Sequence, residues 1–222
     1  STICYNKVTT KLWCQMIDVP VTPFITVDQK SYYKNKEKAL KFFRENNNSV
    51  FVKTPTQGSS IGCYCVKNEE LLNEKILESF HYNSTSLIEK KVTAREIEVA
   101  VFTYKGKLIV SEPGEIVTEG EFYDFDKKYS ESSQVKTKIR ADLNTVTKEK
   151  IKTFSRNIFE QIGLRDLSRI DFFVDDTNNL IYLNEINTFP GMTPISMFPK
   201  MLEASGVSFE EYILDKLELG GI

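Results

Sequence analysis

The sequence predicts an α+β protein built from two subdomains. Its apolar strands follow one another in hairpins, and segments with helical spacing are set apart from them, which favours α+β over a doubly wound sheet. Two apolar blocks meet at a polar joint near Val92. We therefore place one subdomain at residues 1–92 and a second at residues 93–222, with a cleft between them.

The elements of the first 111 residues follow from apolar spacing and turn signals. Three segments carry apolar residues at helical intervals, and an Asn46-Asn47-Asn48 run ends the second of them. Five short apolar runs bounded by polar turns are typical of strands. The predicted helices are 7–17, 36–46 and 69–80, and the predicted strands are 50–53, 61–66, 86–91, 96–104 and 108–111.

The remaining residues begin with a polar stretch, 112–144, whose weak periodicity predicts a long loop or lid. An amphipathic helix follows, with Thr147 as its N-cap and Gly163 as its stop. A hairpin comes next, and Ser208 caps the last of two helices in the tail. The predicted bounds are 147–162 for the first helix, 169–174 and 180–186 for the hairpin strands, and 197–203 and 208–217 for the tail helices.

Composition excludes several classes of protein. The 29 Lys and Arg residues nearly balance the 31 Asp and Glu residues, so no overall field attracts nucleic acid. Apolar runs such as 170–174 are far shorter than the roughly 20 residues of a bilayer-spanning helix, so we expect no membrane segment. The first residues lack a secretory layout and the four cysteines form no CxxC pair, which predicts a cytoplasmic protein with reduced thiols.

The predicted hairpin in the second half carries the strongest chemical pattern. Side chains two apart on a strand share a face, so Arg169 lies with Asp171, and Glu185 lies with Asn187. Folding the hairpin puts Asp171 opposite Glu185. Two carboxylates and an amide oxygen on one patch suit Mg²⁺ that bridges nucleotide phosphates. The alternative is an Arg-Asp pair on a solvated face.

A glycine-rich turn follows the first predicted hairpin strand. Gly58 and Gly62 allow backbone N–H groups to approach an anion, and Ser59 and Ser60 add hydroxyl donors. Lys53, at the end of the strand, can reach the same phosphate. The segment lacks the Walker order, so it is not a P-loop. An ordinary turn is the alternative interpretation.

Three weaker features each allow two interpretations. The stretch from Glu89 to Glu96 offers acceptors beside apolar walls for a nucleotide base, or is a solvated strand end. The aromatic and cationic segment 122–129 is a lid over a triphosphate, or a loop that packs its own aromatics. The N–H of Gly191 donates to a developing oxyanion, or belongs to a plain Pro-Gly turn.

These segments together resemble the D-alanine:D-alanine ligase family of the ATP-grasp superfamily, over nearly the whole chain. Arg169-Ile170-Asp171 resembles the family's RxD motif, and residues 184–193 resemble its N(E)xNxxPGxT signature. The run from Gly58 to Gly62 resembles its phosphate loop. The resemblance implies an ATP-grasp fold, in which two α+β subdomains with antiparallel sheets enclose a nucleotide cleft.

The resemblance also implies roles for individual residues. Those that bind ATP are Lys7, Lys53 and Lys128 at the phosphates, Glu89, Lys90 and Glu96 at adenine and ribose, and Ser60 and Phe122 elsewhere on the nucleotide. Those that bind two Mg²⁺ ions, with Mn²⁺ as a substitute, are Asp171, Glu185 and Asn187. Those that act on the tetrahedral intermediate, the D-alanine site or the lid are Arg169, Gly191, Ser59, Tyr129, Ser196 and Met197.

The implied reaction is the ATP-dependent ligation of two D-alanines for peptidoglycan precursor synthesis. ATP phosphorylates the first carboxylate, and the second amine attacks the acyl phosphate. Tyr129 resembles the dipeptide-forming type, and relatives that use D-lactate or D-serine, or another ATP-grasp carboxylate-amine ligase, remain alternatives. A regulatory nucleotide-binding module without catalysis is the alternative from another class, although it would not need an arginine beside two metal carboxylates.

The family's N-terminal domain, which carries an acidic residue and a histidine for the first D-alanine, has no counterpart in these residues. We therefore expect a fragment that binds ATP weakly by itself and makes no dipeptide without that domain. The resemblance further implies a homodimer.

Overall fold

The computed structural model describes residues 2–117 and 136–219. The helices within this part are α1 (Thr2–Tyr5), α2 (Lys7–Met16), α3 (Tyr32–Glu45), α4 (Glu69–Ser79), α5 (Thr145–Ile162), α6 (Met197–Ala204) and α7 (Phe209–Leu219). The strands are β1 (Phe24–Asp28), β2 (Val50–Lys53), β3 (Cys63–Val66), β4 (Thr85–Lys90), β5 (Arg95–Tyr104), β6 (Lys107–Val110), β7 (Gly114–Val117), β8 (Lys136–Lys138), β9 (Leu167–Asp175) and β10 (Leu180–Asn187). Phe122, Lys128 and Tyr129 lie outside the described residues.

The first sheet has four antiparallel strands in the order β1-β4-β2-β3. Its inward side chains, such as Val52 and Ile88, form one core with α3 and α4. Phe43 and Ile76 supply the helical side of that core. Burial of these apolar faces fixes the end of β2, and with it the position of the glycine-rich turn that follows.

The second sheet follows the order β10-β9-β5-β7-β8, with β6 also paired to β5. One face packs against α5 through Ile151 and Ile158. The other face carries Phe102, which meets Phe198 and Tyr212 of the tail helices edge to face. Side chains two apart on β5 share a face, so Glu98 and Glu96 lie on the same face as Ala100. They extend this second face beyond the part that α6 and α7 cover. That open part faces the cleft.

The segment before β1 packs its apolar side chains against the second sheet, although it precedes the first sheet in the chain. Cys14 of α2, with Val19 and Val21, joins the core beneath α5. Val21 also forms a parallel bridge with Leu183 of β10. In chain order, residues that pack on the second sheet therefore come before the first strand of the first sheet. Helix α2 lies where the two sheets meet. The subdomain boundary near residue 92 stays a prediction, and it falls in the link between β4 and β5.

The α+β class and most of the predicted elements are confirmed. Gly163 ends α5 in the left-handed conformation, with φ +72°. At the last helix the Ser208 hydroxyl accepts from the N–H of Glu211 at 3.1 Å, and Glu211 accepts from the N–H of Ser208 in return. None of the helices in the described part of the chain combines the length and the apolar character that a bilayer span requires.

The predicted elements are wrong in several details. The stretch 112–144 is not one loop, because β7 and β8 lie within it and hydrogen-bond to the sheet. The N-cap of α5 is Asn144, whose side chain accepts from the N–H of Thr147 at 2.9 Å. Helix α3 begins at Tyr32, and β3 begins at Cys63, after the turn rather than within it. Strand β1 was not predicted.

Candidate active site

A cleft of about 520 Å³ lies between the two sheets and takes side chains from both. This volume falls in the range of small-molecule sites. The expected nucleotide and metal residues that line it are Lys7, Lys53, Ser59, Ser60, Glu89, Lys90, Glu96 and Glu185. Residues from distant parts of the sequence thus share one concave surface.

The glycine-rich turn is compact and unusual in its backbone. Ser59 and Ser60 have φ values of +50° and +63°, a region that non-glycine residues rarely adopt, and Gly62 has φ +64°. The N–H of Ile61 donates to the carbonyl of Gly58 at 3.0 Å, and the N–H of Thr54 donates to the carbonyl of Gly62 at 2.9 Å. Strain of this kind concentrates at ligand-binding loops.

Lys7 connects this turn with the second sheet. It stands at the first position of α2, where the side chain of Asn6 caps the helix. Its ammonium group donates to the carbonyl of Gln57 at 2.5 Å and lies 3.8 Å from a carboxylate oxygen of Glu185. One cation therefore faces both the turn and the carboxylates of the hairpin.

A cluster of three charged side chains lies at the floor of the cleft, which is lined by Lys53 and Glu89 but not by Lys11. The Glu89 carboxylate lies 2.7 Å from the ammonium of Lys11 and 2.6 Å from that of Lys53. Burial opposes the charge of Glu89, but the two lysines outweigh it and lower the pKa of Glu89 to about 2. Burial lowers the pKa of Lys11, which Glu89 opposes, whereas the neighbouring carboxylate raises the pKa of Lys53 despite burial.

Glu89 thus meets lysines rather than open solvent, with one oxygen near each ammonium group. Its expected contact with adenine stays a prediction. Lys11 was missed from the sequence, since a lysine within a helix is ordinarily a solvated residue. Its spacing of four residues from Lys7, which puts both on one helix face, was the only signal.

The hairpin brings four polar side chains together on the open face of the second sheet. Asp171 pairs with Glu185, and Arg169 pairs with Asn187, across β9 and β10. The amide nitrogen of Asn187 donates to Asp171 at 2.9 Å and lies 3.5 Å from Glu185. Arg169 donates twice to Asp171, at 2.8 Å each. The expected convergence is what the fold produces.

A bulge at Asn184 makes this convergence possible. The register shifts between Leu183 and Glu185. Leu183 and Ile186 are therefore both buried in the core, while Glu185 stands on the face of Asp171. Without the extra residue, strict alternation from Leu183 would turn Glu185 toward the core.

Glu98 belongs to the same patch and was missed. It lies opposite Asp171 on β5, is only 5% exposed, and approaches the Nε atom of Arg169 to 3.3 Å. The alternation Glu96-Ile97-Glu98 was the available signal, because it puts both glutamates on one strand face. Arg169 therefore lies between two buried carboxylates.

The donor set fits a hard cation. Among the described residues no group of three or more His, Cys, Asp or Glu side chains could hold a metal alone. Asp171, Glu185 and Asn187 instead offer two carboxylates and one amide, which is the partial set that Mg²⁺ takes when phosphate and water oxygens complete its shell. Asn187 would present its carbonyl oxygen to the ion rather than the nitrogen that now faces Asp171.

The turn after β10 leads into α6. A Cβ on Gly191 would lie 2.7 Å from the hydroxyl of Ser196, so the two residues are in close contact. The Ser196 hydroxyl shares a 2.8 Å hydrogen bond with Thr193. The Met197 side chain lies in the core with Phe198. The expected contact of Met197 with substrate would therefore have to come from its backbone atoms.

Comparison with known proteins agrees with this geometry. Residues 13–218 match the family model described as D-ala D-ala ligase C-terminus. A D-alanine--D-alanine ligase of Vibrio parahaemolyticus is 43% identical over 213 residues, which are 95% of this chain and 64% of the relative. The chain thus spans 64% of the length of that relative.

Two solved structures show the same fold. D-alanyl-alanine synthetase A from Vibrio cholerae has a TM-score of 0.89 at 43% identity, covering 97% of this chain and 65% of that one. The VanG D-Ala:D-Ser ligase from Enterococcus faecalis has a TM-score of 0.80 at 25% identity, covering 98% and 62%. The similarity includes both sheets of the chain.

Proposed function

The chain belongs to the D-ala D-ala ligase C-terminus family, and from that membership we propose that its cleft binds Mg-ATP for the ligation of two D-alanine molecules. The fold is that of the ATP-grasp ligases among its structural neighbours. The cleft holds the nucleotide, and the open face of the second sheet holds the reacting groups.

One observation carries the proposal. Asp171, Glu185 and Asn187 converge on two neighbouring strands, and Lys7 links Glu185 to the glycine-rich turn. A cation at the carboxylates and phosphates at the glycine-rich turn would then lie on either side of Lys7, which contacts Gln57 of the turn and lies 3.8 Å from Glu185. A solvated Arg-Asp pair does not explain this arrangement, because Asp171 is only 1% exposed.

The residues divide the chemistry between them. Lys7 and Lys53 neutralise the phosphates and orient the terminal one toward the D-alanine carboxylate. Bound Mg²⁺ supplies charge neutralisation of the transferring phosphoryl group. Arg169, held by its carboxylates, meets the negative charge that develops on the acyl oxygen when the second amine attacks the acyl phosphate. The Gly191 N–H assists at the same oxygen.

The second substrate in this proposal is D-alanine rather than D-serine or D-lactate. It is supported by the ligase of 43% identity that is named for D-alanine alone, whereas the neighbour named for D-serine is 25% identical. Offering the three compounds in turn as the second substrate tests this choice directly.

The test uses the full-length protein with Mg²⁺, ATP and D-alanine. We expect ADP release that depends on D-alanine, and a dipeptide detectable by mass spectrometry. Asp171→Asn should lower the rate about a hundredfold, since a metal ligand is lost. Asp175→Asn is the matched control on the same strand, because Asp175 caps the hairpin turn through Asn178 and lies away from the patch. ADP release that is independent of D-alanine, or equal in both variants, would refute the proposal.

A further inference from the structure

Lys11 is the most deeply buried charged side chain near the cleft that the proposed chemistry does not use. It is 1% exposed, and its ammonium group lies 2.7 Å from Glu89. A lysine is almost never buried so completely unless it is paired. An apolar residue would fill the same place on α2 at lower cost, so the retained charge calls for a reason.

The reason lies in how Glu89 divides its charge. Lys53 and Lys11 approach separate oxygens of the one carboxylate, at 2.6 Å and 2.7 Å. Two cations and one anion leave an excess positive charge, and of the two lysines only Lys53 lines the cleft. If Lys11 were absent, Glu89 would act on Lys53 alone, and the pair would present no net charge to a phosphate.

We propose that Lys11 is a positioning residue that shares the charge of Glu89 and so leaves the positive charge of Lys53 available to the nucleotide's phosphates. The inference rests on the proposed function of the cleft. Lys11 does not touch the nucleotide itself, because Lys53 and Glu89 lie between it and the cleft. Both oxygens of Glu89 already face lysines, so in this inference Glu89 makes no contact with the nucleoside. The effect of Lys11 is therefore confined to the phosphates.

That confinement distinguishes positioning from a purely structural role. If Lys11 only fills space, its loss disturbs the whole cleft and weakens every ligand alike. If it acts through the charge of Lys53, its loss weakens anions and spares a neutral nucleoside. Tripolyphosphate with Mg²⁺ and adenosine alone are suitable probes, because each represents one half of the nucleotide.

The experiment measures the dissociation constants of both probes with the full-length protein by calorimetry. Lys11→Met should weaken tripolyphosphate binding about tenfold, because Glu89 then offsets the charge that Lys53 offers to the phosphates, and should leave adenosine binding unchanged. Lys152→Met is the matched control, because it removes a 2.8 Å ion pair with Glu112 that lies outside the cleft. It should change neither constant.

A second variant tests the charge argument itself. Lys11→Met combined with Glu89→Gln removes the cation together with the anion that it balances, so tripolyphosphate binding should return close to that of the unaltered protein. Lys11→Gln, which keeps a hydrogen-bond donor to Glu89, replaces Lys11→Met should the latter not fold. We expect the same loss of tripolyphosphate binding from Lys11→Gln as from Lys11→Met.

Three results would overturn the inference. They are unchanged tripolyphosphate binding in Lys11→Met, equal weakening of both probes, and no recovery in the double variant. If the unaltered protein binds neither probe, the nucleotide cleft fails as well, and the inference fails with it. Binding by the unaltered protein together with any of the first three results rejects the role of Lys11 alone.

Discussion

The guanidinium of Arg169 holds the carboxylate of Asp171 through two parallel hydrogen bonds of 2.8 Å, from Nε to Oδ1 and from Nη2 to Oδ2. Burial alone would lower the pKa of Arg169, but Asp171 and Glu98 outweigh it and raise that pKa, so the residue stays charged. The fork fixes the arginine before any substrate arrives. Preorganised charge of this kind is what stabilises a developing oxyanion.

Replacing Arg169 should affect both stability and catalysis. Arg169→Met leaves the buried carboxylate of Asp171 without its main partner, which should cost about 3 kcal/mol in the free energy of unfolding. Arg169→Lys keeps the charge but loses the fork, so we expect it to fold and to lose about a hundredfold in kcat. Urea unfolding and steady-state kinetics measure the two effects.

Arg156→Met provides the control for that experiment. Its ion pair with Glu160 spans 3.9 Å on the surface of α5. Such a pair contributes about 1 kcal/mol or less to stability. An equal loss of stability in Arg156→Met and Arg169→Met would contradict the account of the buried fork.

Two glutamates on β5 should separate binding from catalysis. Glu96 lines the cleft, whereas Glu98 lies 3.3 Å from Arg169. Glu96→Gln should raise the KM for ATP with little change in kcat if, as we propose, Glu96 contacts only the bound nucleotide. Glu98→Gln should lower kcat about tenfold and leave the KM for ATP unchanged, because Arg169 loses a counter-charge. The reverse assignment of effects would show that the two roles are misplaced.

Glu89 should contribute a pH dependence to stability. Its pKa is lowered from 4.5 to about 2, because Lys11 and Lys53 outweigh the effect of burial. Since the folded pKa is the lower one, the contribution is complete above 4.5 and is lost as the pH falls from there toward 2. Between these two pH values, Glu89→Gln should reduce the slope of the free energy of unfolding against pH by at most about 1.4 kcal/mol per pH unit.

Urea unfolding of both proteins across that pH range measures the difference in slope. Other carboxylates with lowered pKa, such as Glu115 beside Arg95, are present in both proteins and cancel. At neutral pH Glu89→Gln should be the less stable protein, because two buried lysines lose their partner. Equal slopes of the free energy of unfolding against pH in the two proteins would show that the pKa of Glu89 does not change on folding.

Gly62 and Gly106 form a matched pair for testing the glycine-rich turn. Both have positive φ, at +64° and +72°, but a Cβ on Gly62 would lie 2.6 Å from the Thr54 hydroxyl, whereas one on Gly106 would meet nothing. Gly106→Ala should therefore cost about 1 kcal/mol of stability from backbone conformation alone. Gly62→Ala should cost about 1–3 kcal/mol more and weaken ATP binding.

The comparison of those two variants isolates the steric contact. Differential scanning calorimetry gives the stability difference, and titration with Mg-ATP gives the binding difference. If both variants lose the same stability, the contact with Thr54 is not what holds the turn. If Gly106→Ala weakens ATP binding as strongly, the effect is not confined to the turn.

Local patterns allowed most elements to be predicted, and the failures share one cause. Strands β7 and β8 carry little apolar alternation, and they form because β7 pairs with β5 and β8 pairs with β7, so that the folded sheet supplies partners for their backbone groups. Lys11 was missed for a similar reason, since its burial depends on Glu89 and Lys53 from distant strands. Neither feature can be predicted from a short segment of the sequence.

The motif residues, their order and the hairpin that pairs their two strands can be read from the sequence alone, because a short turn makes the strands that it joins neighbours. Two features of the site come instead from tertiary packing. The bulge at Asn184 turns Glu185 out of the core, and the contact between α2 and the first sheet places Lys11 under Glu89. Both depend on packing between segments far apart in the chain, where burial and charge pairing outweigh local preference.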